Sequence, residues 1–207
     1  MGIINLKISK LFIWLVIINI IVVGTAVFFY NGDYSFWAYP FSYAGTIKTF
    51  DGFPNTAGSY IYSLSMGLSG IIMLILTYHF YLLKNQQKNL FKTLLSFLGA
   101  CGFIIAAFSP DDIRHTFHVI GSALFFAALW ILASSFLFEL KDNLNRRSYI
   151  FLEMCLQIPV FAYAITYFLA LGIVPCILQK FALLGLGFIL IYSAILIDES
   201  DISRQNR

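Results

Sequence analysis

The chain has 207 residues, of which 60% are hydrophobic and 11% are charged, and its formal net charge is +3 at pH 7. Ordinary soluble domains carry roughly 25% charged residues. This composition therefore excludes a soluble globular domain and predicts an integral membrane protein. The small net charge gives no indication of nucleic-acid binding, so we expect no nucleic-acid partner.

Six apolar segments are long enough to cross a bilayer. A span needs about 20 apolar residues to cross roughly 30 Å of hydrocarbon, and six such segments must be helical because lipid cannot satisfy free backbone groups. We predict an all-α fold in which residues 1–207 form a single six-helix membrane domain. The predicted spans are residues 11–30, 59–83, 92–108, 116–140, 149–171 and 177–197.

The basic residues fall almost entirely on one side of these spans. Ten of the 13 lie at the N-terminus, in the second and fourth connections or in the C-terminal tail, and only Lys48, Arg114 and Lys180 lie on the other side. Cytoplasmic loops keep basic residues because these resist translocation. We therefore predict cytoplasmic N- and C-termini. Frequent Ile, Lys and Asn are typical of an AT-rich bacterial genome, which predicts a multi-pass protein of a bacterial inner membrane.

The first segment also has features of a signal peptide. Lys7 and Lys10 precede its apolar run, and Gly24-Thr25-Ala26 is a small-residue site of the kind that signal peptidases cleave. The apolar run continues through Tyr30, however, and this favours a membrane span.

The densest polar cluster, Ser109 to His118, is predicted to open the fourth helix. On a helix, Asp111 and His115 are four residues apart and His115 and His118 are three apart, so the three share one face. Two imidazoles and a carboxylate in this arrangement are typical of a divalent metal site, such as zinc, or of a general acid/base pair. Asp111, His115 and His118 are therefore candidate catalytic residues and candidate metal ligands.

Helix capping is a structural explanation of the same cluster. Ser109 is a good N-cap, Pro110 suits the first helical position, and acids in the first turn favour the helix dipole. Capping accounts for Asp112 better than it accounts for two histidines. Both interpretations stay open at this point.

A long connection of about residues 31–58 precedes the second span. Connections above about 12–15 residues are uncommon unless they are functional or disordered. This one is rich in aromatic residues, which are typical of the membrane interface. We predict an interfacial belt or a cap over the mouth of the bundle, and in the second case Asp33, Asp51 or Asn55 meets the two histidines.

Small residues on the predicted spans indicate helix contacts, because they let backbones approach closely in lipid. The candidates are Ser59, Ser63, Gly67 and Gly70 on the second span, Gly99 and Gly102 on the third, Gly121 on the fourth and Gly185 on the sixth.

Three short elements form a pattern: Phe41-Ser42-Tyr43-Ala44-Gly45-Thr46, Pro54-Asn55 and His118-Val119-Ile120-Gly121. They resemble motifs of the six-helix DRAM/Sfk/PGAP-like superfamily and of the bacterial integral-membrane family related to it. Its members have an S-x-x-G element in a long first outer loop and a histidine at the top of the fourth helix. The resemblance implies that Ser42, Gly45, Asn55 and His118 are family-pattern residues. Eukaryotic relatives are associated with lipid remodelling and lipid organisation.

Three functions follow as hypotheses. The protein handles or organises membrane lipid, or a small apolar ligand, through a polar site at its outer face. Alternatively, Asp111, His115 and His118 hold a metal that activates water for lipid hydrolysis or modification. The third hypothesis is a small transporter, which ranks last because the middle of the predicted bundle offers few polar residues. These are Asn19, Thr77, Ser134 and Ser135.

Overall fold

A computed structural model describes residues 7–83 and 87–205, with the side chains of residues 87–88 and 200–205 excepted. Within these ranges the fold consists of six α-helices and one 3-10 helix, without a β-strand, and this confirms the predicted all-α architecture. The helices are α1 Ile8–Phe28, α2 Thr56–Leu82, α3 Gln87–Ala107, α4 His115–Leu140, α5 Arg146–Phe168 and α6 Val174–Gln205, and the 3-10 helix is Phe41–Gly45.

Each of the six helices is long and apolar enough to cross a membrane, and each corresponds to one predicted span. Consecutive helices run in opposite directions. We call the end of the bundle at which α1, α3 and α5 finish the outer end and the opposite end the inner end, following the predicted orientation.

The last helix is longer than predicted, because α6 continues through residues 198–205 instead of ending at residue 197. The carboxylate of Asp198 accepts hydrogen bonds from the backbone N–H groups of Ile8 (3.3 Å) and Ser9 (2.9 Å). These N–H groups belong to the first turn of α1 and have no partner within their own helix. Asp198 therefore fastens α6 to the start of α1.

The helices pack as a bundle in which α2 lies between α1 and α3, and α3 packs on α4. Helix α6 contacts α1, α4 and α5, whereas α5 packs mainly on α6 and less closely on α4. Phe12, Phe80 and Phe136 are almost completely buried towards the inner end, and the rings of Phe12 and Phe136 meet edge to face with 5.8 Å between their centroids.

Two glycines allow α3 and α4 to cross closely. A Cβ atom on Gly102 would lie 2.5 Å from the backbone nitrogen of Phe125, and one on Gly121 would lie 2.8 Å from that of Ala106. The predicted contacts at Gly70, Gly99 and Gly185 are likewise confirmed. The one at Gly67 is wrong, since no atom of the described residues, the backbone of α2 itself aside, lies within 4 Å of a Cβ there. Gly67 is displaced from the buried face of α2 that carries Tyr62, Met66 and Gly70.

Candidate functional site

The connection between α1 and α2 is a folded cap over the outer end, and we call residues 31–55 the outer cap. An antiparallel bridge between Lys48 and Pro54 closes a turn in which the N–H of Thr49 donates to the carbonyl of Phe53 at 2.8 Å. Gly52 has a φ of 84° in this turn, a conformation that favours glycine. The cap is therefore ordered by its own backbone hydrogen bonds.

Asn55 and Gly45 hold the cap on α2. The Nδ2 group of Asn55, which is 1% exposed, donates to the carbonyls of Ala44 (3.1 Å) and Thr46 (2.8 Å). A Cβ atom on Gly45 would overlap the ring of Tyr62, so the 3-10 helix lies directly on α2. Ser42 is partly buried in the same 3-10 helix. Asn55 and Gly45 thus have structural roles here.

Asp112 fastens the cap to the connection between α3 and α4. Its two carboxylate oxygens accept hydrogen bonds from the backbone N–H groups of Ile47 (3.0 Å) and Lys48 (2.9 Å). The interpretation of this cluster as a cap of α4 is wrong, because α4 begins at His115 and its N-cap position is Arg114, without a side-chain cap. Pro110 instead starts a separate turn, in which its carbonyl accepts from the N–H of Arg114 at 2.8 Å.

Asp111 and His115 form the predicted pair. The imidazole Nδ1 lies 2.7 Å from the Asp111 Oδ1 atom. The Asp111 side chain is 13% exposed, whereas that of His115 is 72% exposed. A carboxylate that orients an imidazole while its other nitrogen faces outward is an arrangement suited to general acid/base chemistry.

His118 belongs to a different environment, although it is three residues from His115. It is 4% exposed, and its Nδ1 lies 2.8 Å from the carbonyl oxygen of Ser109. Because a carbonyl can only accept, Nδ1 carries the proton and Nε2 faces the Ser122 hydroxyl at 3.3 Å. Both ring nitrogens are therefore engaged, in contacts that are separate from those of the Asp111–His115 pair.

The described side chains do not form the predicted three-residue metal site. Within residues 7–83 and 87–199, no group of three or more His, Cys, Asp and Glu side chains is close enough to hold a metal ion. Asp111 and His115 contact each other, whereas His118 is bonded to Ser109, so the three side chains do not converge on one point. Nor does any hydrogen bond in this part of the chain join Asp33, Asp51 or Asn55 to either histidine.

A buried lysine that the sequence prediction did not single out lies under the cap. Lys180 of α6 is 3% exposed, and its Nζ donates to the carbonyls of Tyr39 and Cys176, each at 2.8 Å. The same Nζ lies over the rings of Phe36 and Phe41, at 5.3 Å and 5.0 Å from their centroids. Among the described side chains, no carboxylate lies within 4.0 Å of it. The signal in the sequence was a single cation inside the apolar run of α6.

A row of tyrosines supplies further polar groups at the outer mouth. Ring centroids are 5.4 Å apart for Tyr30 and Tyr34, 5.9 Å for Tyr34 and Tyr39, and 5.4 Å for Tyr39 and Tyr43. Burial raises the pKa of Tyr34, and burial together with the charge of Asp111 raises the pKa of Tyr43. Both hydroxyls therefore stay protonated at neutral pH and can donate hydrogen bonds.

The fold and this site define a multi-pass integral membrane protein whose outer mouth is covered by a folded cap. No family model, curated protein or solved structure matches the chain. The similarity to the six-helix DRAM/Sfk/PGAP-like superfamily consequently stays a prediction.

Proposed function

We propose that this membrane protein handles lipid by binding the headgroup of a phospholipid at the outer mouth, beneath the outer cap. The observation that supports this most directly is the Lys180 ammonium, which is buried and has no described acidic partner. A charge at membrane depth is costly unless it is paired. Two carbonyl oxygens and two ring faces compensate only part of that cost, and a lipid phosphate would supply the missing anion.

The surroundings of Lys180 also suit a lipid headgroup. Tyr43 lies beside Tyr39, whose carbonyl binds Lys180, and its protonated hydroxyl can donate to phosphate or ester oxygens. The acyl chains would lie on apolar surface beside the mouth, where Phe117 and Ile120 of α4 are exposed. The compartment that this proposal assumes is a bacterial inner membrane, with the cap on the side away from the cytoplasm.

Photocrosslinking with two labelled phospholipids tests the location. One carries a diazirine at the headgroup and the other carries it at the end of an acyl chain. We expect the headgroup probe to label residues 31–55 and the first turns of α6, and the acyl probe to label the exposed faces of the helices. Headgroup crosslinks that avoid the outer cap and α6 would contradict the proposal.

A lipid-modifying enzyme is the second candidate, and the Asp111–His115 pair favours it. The 2.7 Å contact orients the imidazole and leaves Nε2 exposed, as a general base requires. Incubation with a radiolabelled phospholipid and analysis of the products tests this candidate. Turnover that is lost in His115→Gln, but kept in the exposed control Asp33→Asn, would support it. The absence of turnover would contradict the enzyme candidate and leave lipid binding as the proposed function. Elemental analysis of the same samples tests the predicted zinc.

A further inference from the structure

A polar cluster lies between α4 and α5, in the inner half of the bundle, away from the outer mouth. Tyr149, Glu153 and Gln157 recur every four residues and share one face of α5, opposite Trp130 and Ser134 of α4. At a rise of 1.5 Å per residue, Glu153 lies about 10 Å and Gln157 about 16 Å from the start of α5. Both positions lie inside Arg146–Phe168, one of the helices that are long and apolar enough to cross a membrane.

Gln157 is the centre of the cluster and uses both ends of its amide. Its Nε2 donates to the Glu153 carboxylate at 2.9 Å and to the Ser134 hydroxyl oxygen at 3.3 Å, while its Oε1 accepts from the Trp130 indole N–H at 2.8 Å. The Ser134 hydroxyl in turn donates to the carbonyl of Trp130 at 3.0 Å. These bonds fix the position of the Glu153 carboxylate.

Glu153 is a carboxylate without a cation. Gln157 donates a hydrogen bond to it, and the Tyr149 hydroxyl is hydrogen-bonded to it as well. No basic side chain of the described residues lies within 4.0 Å of it. Ionisable side chains inside a membrane are expensive and are commonly found at functional sites.

The chemistry around Glu153 selects the kind of cation. The oxygens of Gln157 and Ser134 are already engaged within the cluster, so the six or more oxygen ligands that Ca²⁺ requires are not supplied. An ammonium group needs one carboxylate and gains from a nearby aromatic face. The cluster contains two aromatic side chains: Tyr149, which is hydrogen-bonded to Glu153 itself, and Trp130, whose N–H donates to the Gln157 that bonds Glu153.

The cluster can be reached from the bilayer. Its five side chains are all partly buried rather than enclosed, at a place where α5 packs less closely on α4 than on α6. We propose that Glu153, positioned by Gln157 and Trp130, binds the ammonium group of a lipophilic amine in the inner half of the membrane. The amine is either the headgroup of an aminophospholipid or a free amphiphilic amine, since both present the same cation.

Fluorescence of Trp130 gives a direct test. The chain has three tryptophans, so Trp14→Phe with Trp37→Phe leaves Trp130 as the only reporter. In detergent micelles at neutral pH, we expect dodecylamine to change its emission saturably and dodecanol, which has the same chain without the charge, to have no such effect. Glu153→Gln should weaken the dodecylamine response by about tenfold or more, because it removes the charge that pairs with the ligand.

Two further variants distinguish a loss of amine binding from a loss of the fold. Glu153→Asp keeps the charge and should retain saturable binding, and Asp142→Asn removes an exposed acid at the inner end and should leave the response unchanged. If phosphatidylethanolamine competes with dodecylamine, the ligand is an aminophospholipid headgroup. If ethylammonium competes, a free amine is sufficient. An equal response to dodecanol, or a dodecylamine response that Glu153→Gln does not weaken, would overturn the proposal.

Discussion

At the level of single residues, two neighbouring aspartates illustrate how position decides role. Asp111 orients His115, four residues away, whereas Asp112 binds the N–H groups of Ile47 and Lys48, about 65 residues away in sequence. Helical spacing predicts the first contact from the sequence, although Asp111 lies in the turn before α4 and not on the helix itself. The second depends on how the cap folds over the bundle, and local pattern carries no information about it.

Removal of the Asp112 carboxylate should loosen the outer cap. Asp112→Ala leaves two backbone N–H groups without their acceptor, and we expect a loss of about 1 kcal/mol per hydrogen bond. Hydrogen exchange measured by mass spectrometry should become faster in the peptide that contains Ile47 and Lys48. The matched control is Asp33→Ala, an exposed acid on the same cap that should leave exchange unchanged. Equal exchange in Asp112→Ala and wild type would contradict this role.

At the level of the helices, hydropathy predicts which segments cross the membrane but not how they pack. The six spans are found because apolar length requires a helix in lipid. Gly102 and Gly121 lie at the crossing of α3 and α4. A Cβ atom on Gly67, in contrast, would meet no described atom of another helix within 4 Å. The sequence presents all three as equivalent small residues, since the rotation of each helix about its axis depends on the partner against which it packs.

Alanine at the helix crossing should destabilise the bundle. In Gly102→Ala, the new Cβ meets backbone atoms of α4 that cannot move independently, and overpacking of this kind costs about 1–3 kcal/mol. Gly67→Ala is the control on α2, and it should be neutral or stabilising because alanine is the better helix former. Thermal unfolding in detergent, followed by circular dichroism, measures the difference. Similar unfolding midpoints for the two variants would contradict a close crossing of α3 and α4 at Gly102.

At the level of the whole molecule, the orientation rests on the distribution of basic residues. We expect the outer cap to face away from the cytoplasm, because ten of the 13 basic residues lie at the other end. In a background without Cys101, Cys155 and Cys176, an impermeant maleimide should label Asp51→Cys in intact cells. Asp142→Cys should be labelled only after the cells are permeabilised. The reverse pattern would invert the predicted topology.

The site as a whole is only partly readable from the sequence. The polar cluster before α4 and the aromatic connection predict a functional site at the outer end. The four-residue spacing of Asp111 and His115 predicts their contact. Lys180 was missed because its partner Tyr39 lies 141 residues away, so its burial depends on the folded cap. Glu153 and Gln157 are four residues apart on α5, but their bonding to Trp130 and Ser134 depends on how α4 packs against α5.

Lipid occupancy, measured by native mass spectrometry of protein released from mild detergent, tests the central claim most directly. We expect the wild-type chain to carry one phospholipid more than Lys180→Met, because methionine keeps the apolar length of the side chain without the ammonium. Lys48→Met, which removes an exposed lysine of the outer cap, should retain the lipid. A wild-type chain that carries no phospholipid, or equal occupancy in the wild-type and Lys180→Met proteins, would contradict a headgroup site at the outer mouth.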